Sequence, residues 1–409
     1  MARAIAELFG HGRGRVLAFC WLGWVFDFFD LILFVFLERA IAADLGLSKD
    51  TDIALVQAAT FGATAVGGFL FGRLADRRGR RLAITLSILV FSLGAFATSF
   101  AQGFWGLLAA RIVTGIGVGG EWGVGHAIVA ETYPERLRAR AAGVLQAGAP
   151  IAMGLAAAVA CFSGLHWRTL FLLAALPALL AFVARWAMPG VDRAPGHSRG
   201  GLLDLFRGAL ARPSAAIFTL LLLHMTGFWC TYAWLPARLF EDFGADVRYV
   251  GWFFIGVNSV HVVGDVLFGF LADRFGRRRM FVLFCLLFAA GLAAVNFGFA
   301  VLQQDPVLFG LCFAAIGLGA GTWSCFGVLF AHNFPEAVRA TAAAGFYNLA
   351  RGLQFVTQPL MGWLFAVTGT FAAALHVGVV MSVLSALTIA WVPRTEPTRD
   401  YDPSRPPLR

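Results

Sequence analysis

The chain has 409 residues, of which 59% are hydrophobic and only 13% are charged, against ~25% charged residues in soluble domains. Its net charge of +9 lies mainly in short loops and tails on one side of apolar segments, which excludes nucleic-acid binding as the reason for the charge. Apolar stretches of about 20 residues, the length that crosses a bilayer, recur from Val16 almost to Pro393. The sequence therefore predicts an all-α, multi-pass membrane protein rather than a barrel of short alternating strands.

Hydropathy predicts twelve transmembrane helices, which we number as spans 1 to 12. They cover roughly residues 15–37, 52–75, 81–101, 104–132, 137–161, 167–187, 214–240, 248–272, 278–300, 306–332, 339–365 and 370–392. With the N-terminus inside, the inside loops and tails hold most of the 32 basic residues, and the outside loops hold only Arg39, Lys49, Arg168, Arg238 and Arg248. By the positive-inside rule, both termini are predicted to be cytoplasmic, in a bacterial-type inner membrane.

The chain divides into two halves that repeat each other. The stretch "FGRLADRRGRR" (71–81) returns as "FGFLADRFGRR" (268–278), and "AETYPERLRA" (130–139) returns as "AHNFPEAVRA" (331–340). A Gly-, Pro- and Arg-rich segment separates the halves, as expected for a parallel duplication. We predict an N-terminal half at 1–188, a cytoplasmic loop at 189–213, a C-terminal half at 214–393 and a cytoplasmic tail at 394–409.

These motifs carry a resemblance to a known family. "GRLADRRGRR" and "GFLADRFGRR" resemble the loop signature of the major facilitator superfamily, and "RIVTGIGVGG" (111–120) resembles its span-4 signature. Within that superfamily, "FDFFD", "GGEWG" and "YNLARG" resemble the organic-acid:proton symporters, especially the sialate:proton symporter family with its lactate and pyruvate carriers. The resemblance implies twelve helices in two six-helix pseudo-symmetric halves, and a substrate site that opens to each side in turn.

Span 1 places two acids inside the membrane. Asp27 and Asp30 are one turn apart and therefore share a face of the helix. Asp27 lies 12 residues beyond Arg15, or about 18 Å along the helix, which is near mid-depth. Nearby buried carboxylates raise each other's affinity for protons. The pair is predicted to carry protons, and the alternative is a structural hydrogen bond between helices.

Span 4 carries Arg111 and Glu121. The resemblance implies that its arginine takes part in proton coupling and holds an acid partner, while Glu121, near mid-depth, is a further candidate proton carrier. The alternative is an ion pair that only holds helices together. "GIGVGG" matches a nucleotide-binding pattern on paper, but no strand precedes it. We interpret Gly115, Gly119 and Gly123 as a surface for close helix packing.

Span 11 supplies a cation at mid-depth. Arg351 lies 12 residues past Arg339, at about the depth of Asp27, where a guanidinium can bind a substrate carboxylate through two parallel hydrogen bonds. The alternative is a salt bridge to Asp27, Asp30 or Glu121. Aromatic and polar side chains at similar depth are candidate pocket residues, although such side chains often only pack. They are His224, Asn348, Tyr347, Gln354, Trp122, Trp229, Tyr232 and Trp323.

The repeated loop motifs are predicted to form a conformational latch. Its acids and arginines would hold the halves together in one state, and its glycines, Gly72 and Gly269, would permit close packing. The remaining latch residues are Asp76, Arg80, Asp265, Asp273 and Arg277.

The predicted function is import of a small organic carboxylate, such as lactate, pyruvate or a sugar acid, coupled to protons. The expected partners are the substrate, protons and the bilayer, and we expect a monomer without cofactor or metal. No catalytic motif indicates an enzyme, and the six cysteines are scattered in apolar segments without a metal-site pattern. One alternative is proton-driven efflux of cationic or amphipathic compounds, with Arg351 only structural. The other is a membrane sensor that transports nothing.

Overall fold

The computed structural model describes residues 10, 12–180, 183, 187, 188, 205–302 and 304–393. Within these ranges the chain is helical and contains no strand, which confirms the all-α prediction. Most of the predicted loop between the halves and the whole predicted tail lie outside the described residues. The boundaries given above for the four segments therefore stay predictions.

Each predicted span coincides with helical structure. For span 6 this holds over the part that the structure describes. Eight spans contain one principal helix: Arg13–Leu45, Ala54–Arg78, Arg80–Ser99, Phe104–Thr132, Ala211–Ala237, Val247–Phe275, Arg277–Leu302 and Ala372–Thr388, which are spans 1 to 4, 7 to 9 and 12. Three spans contain two helices each: Glu135–Gln146 and Gly148–Phe162 in span 5, Pro306–Ala320 and Trp323–Asn333 in span 10, and Glu336–Gly352 and Gln354–Thr368 in span 11. Span 6 begins with Trp167–Ala174, followed by the short 3₁₀ segment Leu176–Leu179.

The surface of the bundle is apolar, as a lipid-facing surface requires. Among the described residues, eight helical segments are long and apolar enough to cross a membrane, and Trp167–Leu179 and Ala372–Thr388 are shorter apolar helices. Large hydrophobic side chains such as Phe69 and Phe270 are 66% and 73% exposed. Exposure of such side chains is favourable where the surrounding medium is the hydrocarbon of a bilayer.

The glycines of "GIGVGG" bring spans 2 and 4 into backbone contact. A Cβ atom at Gly115 would lie 2.3 Å from the carbonyl oxygen of Thr60, and one at Gly119 would lie 2.0 Å from that of Thr64. At Gly123 the nearest atom is the Cβ of Ala344 in span 11, at 3.0 Å. Because no side chain fits at the first two positions, the packing interpretation of these glycines is confirmed.

In each half, an acidic residue forms contacts that join several helices at one end of the bundle. The topology predicted from charge makes this the outer end. Asp44, at the end of span 1, pairs with Arg168 at 3.0 Å, and Arg168 donates to the carbonyl oxygens of Ser99 and Ala101. In the other half, Asp242 pairs with Arg238, whose Nε donates to Asn296 at 3.2 Å. These contacts join spans 1, 3 and 6, and spans 7 and 9. They stabilise each half internally and do not link the halves.

The loop motif of the first half forms the predicted charge cluster. Arg80 pairs with Asp76 at 3.0 Å and with Glu131, at the end of span 4, at 3.2 Å. In the second half, Arg277 lies 3.4 Å from Nδ1 of His332, which takes the place of Glu131 in the repeat. The side chain of Asp273, also predicted to belong to the latch, is not among those that the structure describes. For Asp76, Arg80 and Arg277 the role stays a prediction.

The prediction for two latch glycines is wrong. A Cβ atom at Gly72 or Gly269 would meet nothing within 4 Å, so close packing does not explain either residue. The glycines that the motif geometry requires are Gly79 and Gly276, whose φ angles are 102° and 93°. L-residues with a side chain rarely adopt this conformation, and both glycines form the turn into the next span.

The two halves meet along two pairs of spans. Span 2 packs against span 11, and span 5 packs against span 8. Spans 1, 4, 7 and 10 approach one another between these contacts, with span 1 touching span 7 and span 11 touching span 4. Spans 1, 4 and 11 carry the predicted intramembrane charges Asp27, Asp30, Arg111, Glu121 and Arg351.

Candidate functional site

A buried ion pair connects the halves at the centre of the bundle. Arg351 in span 11 donates from both terminal nitrogens to Asp27 in span 1, at 3.1 Å and 3.4 Å. Both side chains are 0% exposed. The planar guanidinium faces both carboxylate oxygens, the geometry in which arginine binds carboxylates best. This is the salt bridge that the sequence left as the alternative to substrate binding, and it shows that the site accepts a carboxylate.

A second buried pair lies within the N-terminal half. Arg111 donates to Oδ2 of Asp30 at 2.7 Å, with 1% and 0% of the two side chains exposed. The guanidinium also lies over the ring of Phe34, 4.7 Å from its centroid. The two aspartates of span 1 therefore face different arginines, although they share one side of the helix. A proton-carrying role for Asp30 requires this pair to open.

Glu121 differs from both aspartates because no arginine neutralises it. Its side chain is 2% exposed, and neither carboxylate oxygen has a hydrogen-bond partner among the described residues. It packs against Gly23 of span 1, where an added Cβ would lie 1.8 Å from Oε1. An unpaired charge in such a site costs several kcal/mol, so the protonated form is favoured. Of the three acids predicted to carry protons, Glu121 fits that role best.

Aromatic rings surround the central pair and join both halves. Tyr347 of span 11 stacks on Trp122 of span 4 with centroids 3.9 Å apart and planes at 10°. Arg351 lies 6.0 Å from the ring of Tyr347 and 5.3 Å from that of Phe28. Trp323 of span 10 approaches the other edge of Tyr347 at 6.2 Å. The structure thus brings these predicted pocket residues together around the guanidinium.

The predicted residues of span 7 extend this shell toward the C-terminal half. His224 contacts the hydroxyl of Thr322 at 3.1 Å and packs edge-on against Trp323. Tyr232 stacks on Phe228, which contacts Trp323 in turn. Trp229 packs against the rings of Phe28 and Phe61. The shell of side chains around the central pair therefore contains rings from both halves, with a few polar groups between them.

Two further predicted residues sit at the junction of spans 2, 7 and 11. Gln354 donates to the hydroxyl of Thr226 at 3.2 Å and to the carbonyl oxygen of Ala350 at 3.0 Å. Asn348 packs on Gly68, where an added Cβ would lie 2.6 Å from its amide. Both side chains are held by the protein in this structure.

Several buried polar atoms of this shell have no hydrogen-bond partner among the described residues. They are Nε1 of Trp24, Trp122 and Trp229, the hydroxyl of Tyr232, Oδ1 of Asn348 and Nε of Arg351. Buried polar groups without partners are rare in proteins, and a cluster of them provides donors and an acceptor for a polar ligand. The described residues contain no group of three His, Cys, Asp or Glu side chains that could hold a metal ion.

The sequence prediction missed two ring residues of the site, Trp24 and Phe28. Trp24 contacts Phe28 at 4.7 Å and Tyr347 at 6.3 Å, and Phe28 lies under Arg351. Helical spacing could have identified Trp24, which lies one turn before Asp27, and Phe28 lies one turn after Trp24. The abundance of aromatic residues in this span hid the signal.

A two-half helical bundle with paired charges and unpartnered polar groups at its centre has the architecture of a membrane transporter, with the site at the interface of the repeats. The family comparison agrees with this class. A model of the Major Facilitator Superfamily matches residues 19–237 and again residues 217–408. The chain belongs to the major facilitator superfamily, and it is a transporter rather than an enzyme.

Relatives and a solved structure support this assignment. The chain is 30% identical, over 82% of its length and 79% of the relative's, to a protein of Cupriavidus pinatubonensis described as a probable 4-methylmuconolactone transporter. It is 25% identical to the sialic acid transporter NanX of Escherichia coli, covering 90% of this chain and 96% of that protein. The crystal structure of a D-xylose–proton symporter superimposes with a TM-score of 0.74 at 21% identity, covering 94% and 98% of the two chains. The fold is therefore that of a major facilitator transporter with two six-helix halves.

Proposed function

We propose that this transporter imports a small organic carboxylate together with protons. The observation that carries the proposal is the fully buried Arg351, which binds the carboxylate of Asp27 at the interface of the halves. A substrate carboxylate can make the same two hydrogen bonds. The likeness to a sialic acid transporter supports an organic acid as the substrate class.

The coupling follows from exchange of one carboxylate for another on Arg351. When the substrate binds the guanidinium, Asp27 loses its counter-ion in a site from which water is excluded. A lone buried carboxylate is unfavourable, so its release from Arg351 favours uptake of a proton. Glu121, which has no arginine partner, would hold a second transported proton or pass it on. The substrate then crosses with its charge compensated.

The same exchange provides a reason for the halves to move. The Arg351–Asp27 pair links span 11 to span 1, and therefore stabilises one arrangement of the two halves. Substrate and proton together replace that link and lower the cost of rearrangement. Either one alone leaves a buried charge unpaired, which disfavours movement without coupling.

Uptake measurements test the proposal. Purified protein is first screened for thermal stabilisation by lactate, pyruvate, sialic acid, aromatic acids and lipophilic cations, and each stabilising compound is then assayed in proteoliposomes. We expect an acid to accumulate when the outside is acidic and to stop accumulating when a protonophore is added. Stabilisation only by lipophilic cations, or uptake that follows a sodium gradient and ignores pH, would contradict the proposal.

We further propose that both termini face the cytoplasm of an inner membrane. The six native cysteines are all buried, so introduced cysteines can be labelled against a low background. In intact cells, an impermeant thiol reagent should label Ser48→Cys, in the predicted first outer loop, and leave Ser198→Cys unlabelled until the membrane is broken. The opposite pattern would reverse the predicted topology.

A further inference from the structure

A second buried acid without an arginine partner among the described residues lies in the C-terminal half. Asp265 in span 8 is 8% exposed, and its Oδ1 accepts a hydrogen bond from the hydroxyl of Ser324 in span 10 at 2.9 Å. Its Oδ2 faces Nε2 of His261, one turn earlier, at 3.8 Å. The sequence assigned Asp265 to the cytoplasmic latch. The contacts of its side chain are instead with these two residues inside the membrane.

The repeat does not require an acid at this position. The equivalent residue of the first half is Gly68, which provides space for Asn348 of span 11. The repeat therefore does not explain the acid at position 265. An ionisable residue at such depth is costly unless it has a use.

The described stretches of spans 5, 9 and 10 that pack near the pair contain no fixed cation. Span 9 from Val282 to Leu302, span 10 from Val307 to Phe330 and the described helix Gly148–Phe162 of span 5 contain no Arg, Lys, Asp or Glu. Among the described residues, His224 and Tyr232 of span 7 are titratable side chains that interact electrostatically with the pair. The central arginines are committed elsewhere, Arg351 to Asp27 and Arg111 to Asp30.

The net charge of the His261–Asp265 pair is set by how many protons the two side chains bind. With a neutral imidazole and an ionised carboxylate, the pair carries one uncompensated negative charge in a site that is almost fully buried. One proton, on either the carboxylate or the imidazole, makes the pair neutral overall. Because a net buried charge costs several kcal/mol, proton binding here is coupled to burial of the site.

We propose that His261 and Asp265 form a second proton-binding site, located in the C-terminal half and separate from the acids of spans 1 and 4. Among the described residues, Glu121 in the first half and Asp265 in the second are then buried acids for which no arginine partner is found. The Ser324 hydroxyl stabilises the ionised carboxylate by donating to it, and His261 supplies the exchangeable cation. This site binds a proton whatever the transported substrate is.

The experiment is infrared difference spectroscopy of the purified, substrate-free protein, titrated from alkaline to acidic buffer. Protonated carboxyl groups are recognised by their carbonyl stretching bands. We expect Asp265→Asn to lose one titrating band and Glu121→Gln to lose a different one. His261→Gln should retain the Asp265 band but change the pH at which it arises. Asp246→Asn, the same substitution at the exposed outer end of span 8, should retain both buried-acid bands.

Two outcomes would overturn the inference. One is a set of titrating bands in Asp265→Asn that matches wild type. The other is an Asp265 band that is present at every pH, because the acid would then be a permanent hydrogen-bond donor with a structural role. Thermal unfolding and gel filtration show whether each variant is folded. Should Asp265→Asn fail to fold, Asp265→Glu serves instead, since it must shift the titrating band rather than remove it. No substrate is used, so failure of the carboxylate proposal would leave this result intact.

Discussion

Replacing Arg351 with Gln should weaken binding of the transported acid by more than about 30-fold. Loss of one partner from a buried, hydrogen-bonded charge pair costs roughly 2–5 kcal/mol, and the lower value already corresponds to about 30-fold at 25 °C. The substitution removes the guanidinium that binds Asp27 through two nitrogens in the ligand-free protein. Isothermal titration calorimetry of purified protein with the acid identified by thermal shift measures the loss directly.

The double variant Asp27→Asn/Arg351→Gln separates substrate binding from structural support. Removing only the arginine leaves Asp27 buried without a partner, which by itself destabilises the protein. Replacing both members with neutral amides leaves no unpaired buried charge, so that cost is removed. If Arg351 binds the substrate, the double variant should regain thermal stability while acid binding stays lost. Recovery of acid binding in the double variant would make the pair purely structural.

Two further comparisons distinguish anion import from cation efflux. Arg351→Lys keeps the charge but loses the planar two-donor geometry, so affinity should fall while some transport survives. A neutral amide analogue of the acid should bind weakly to wild type and nearly unchanged to Arg351→Gln. Normal acid binding by Arg351→Gln, or preference of the wild type for lipophilic cations, would favour the efflux alternative.

The sequence predicted the depth of the charged residues but not their pairing. Counting about 1.5 Å per residue from Arg15 and Arg339 placed Asp27 and Arg351 at the same level, and the structure puts their side chains 3.1 Å apart. Which acid faces which arginine depends on the rotation of each helix about its axis. Span 1 is buried on almost every side, so its apolar pattern does not define that rotation.

Local breaks in the helices were also beyond the sequence prediction. Span 10 is interrupted around Gly321, where an added Cβ would lie 2.3 Å from the backbone of Gly264, and span 11 is interrupted at Leu353. Hydropathy treats each span as one continuous apolar run and has no information about contacts between distant segments. The same absence of long-range information explains the wrong assignment of Gly72 and Gly269 to close packing.

Glu121→Gln should abolish accumulation of the acid against a gradient and preserve exchange of preloaded acid. Glutamine has the shape of a protonated glutamate, so it fits against Gly23 and satisfies the requirement for a neutral side chain. It can neither release a proton nor pass one to Asp27, however, so the variant moves substrate without using the proton gradient. Accumulation in proteoliposomes should therefore end when the inside concentration equals the outside concentration, whereas counterflow of labelled acid continues.

The control for this variant is Glu241→Gln, which makes the same chemical change at an exposed position. Glu241 lies just after span 7, on the side of the membrane that the charge distribution predicts to be outside. It should accumulate the acid as wild type does. Accumulation by Glu121→Gln at the wild-type level would show that Asp27 or Asp30 exchanges its proton without Glu121. Loss of both accumulation and exchange, with normal thermal stability, would instead show that Glu121 must ionise before the halves can rearrange. Loss of accumulation alone assigns Glu121 to proton coupling, and wild-type accumulation assigns it no coupling role. Loss of both activities assigns it to the conformational change itself.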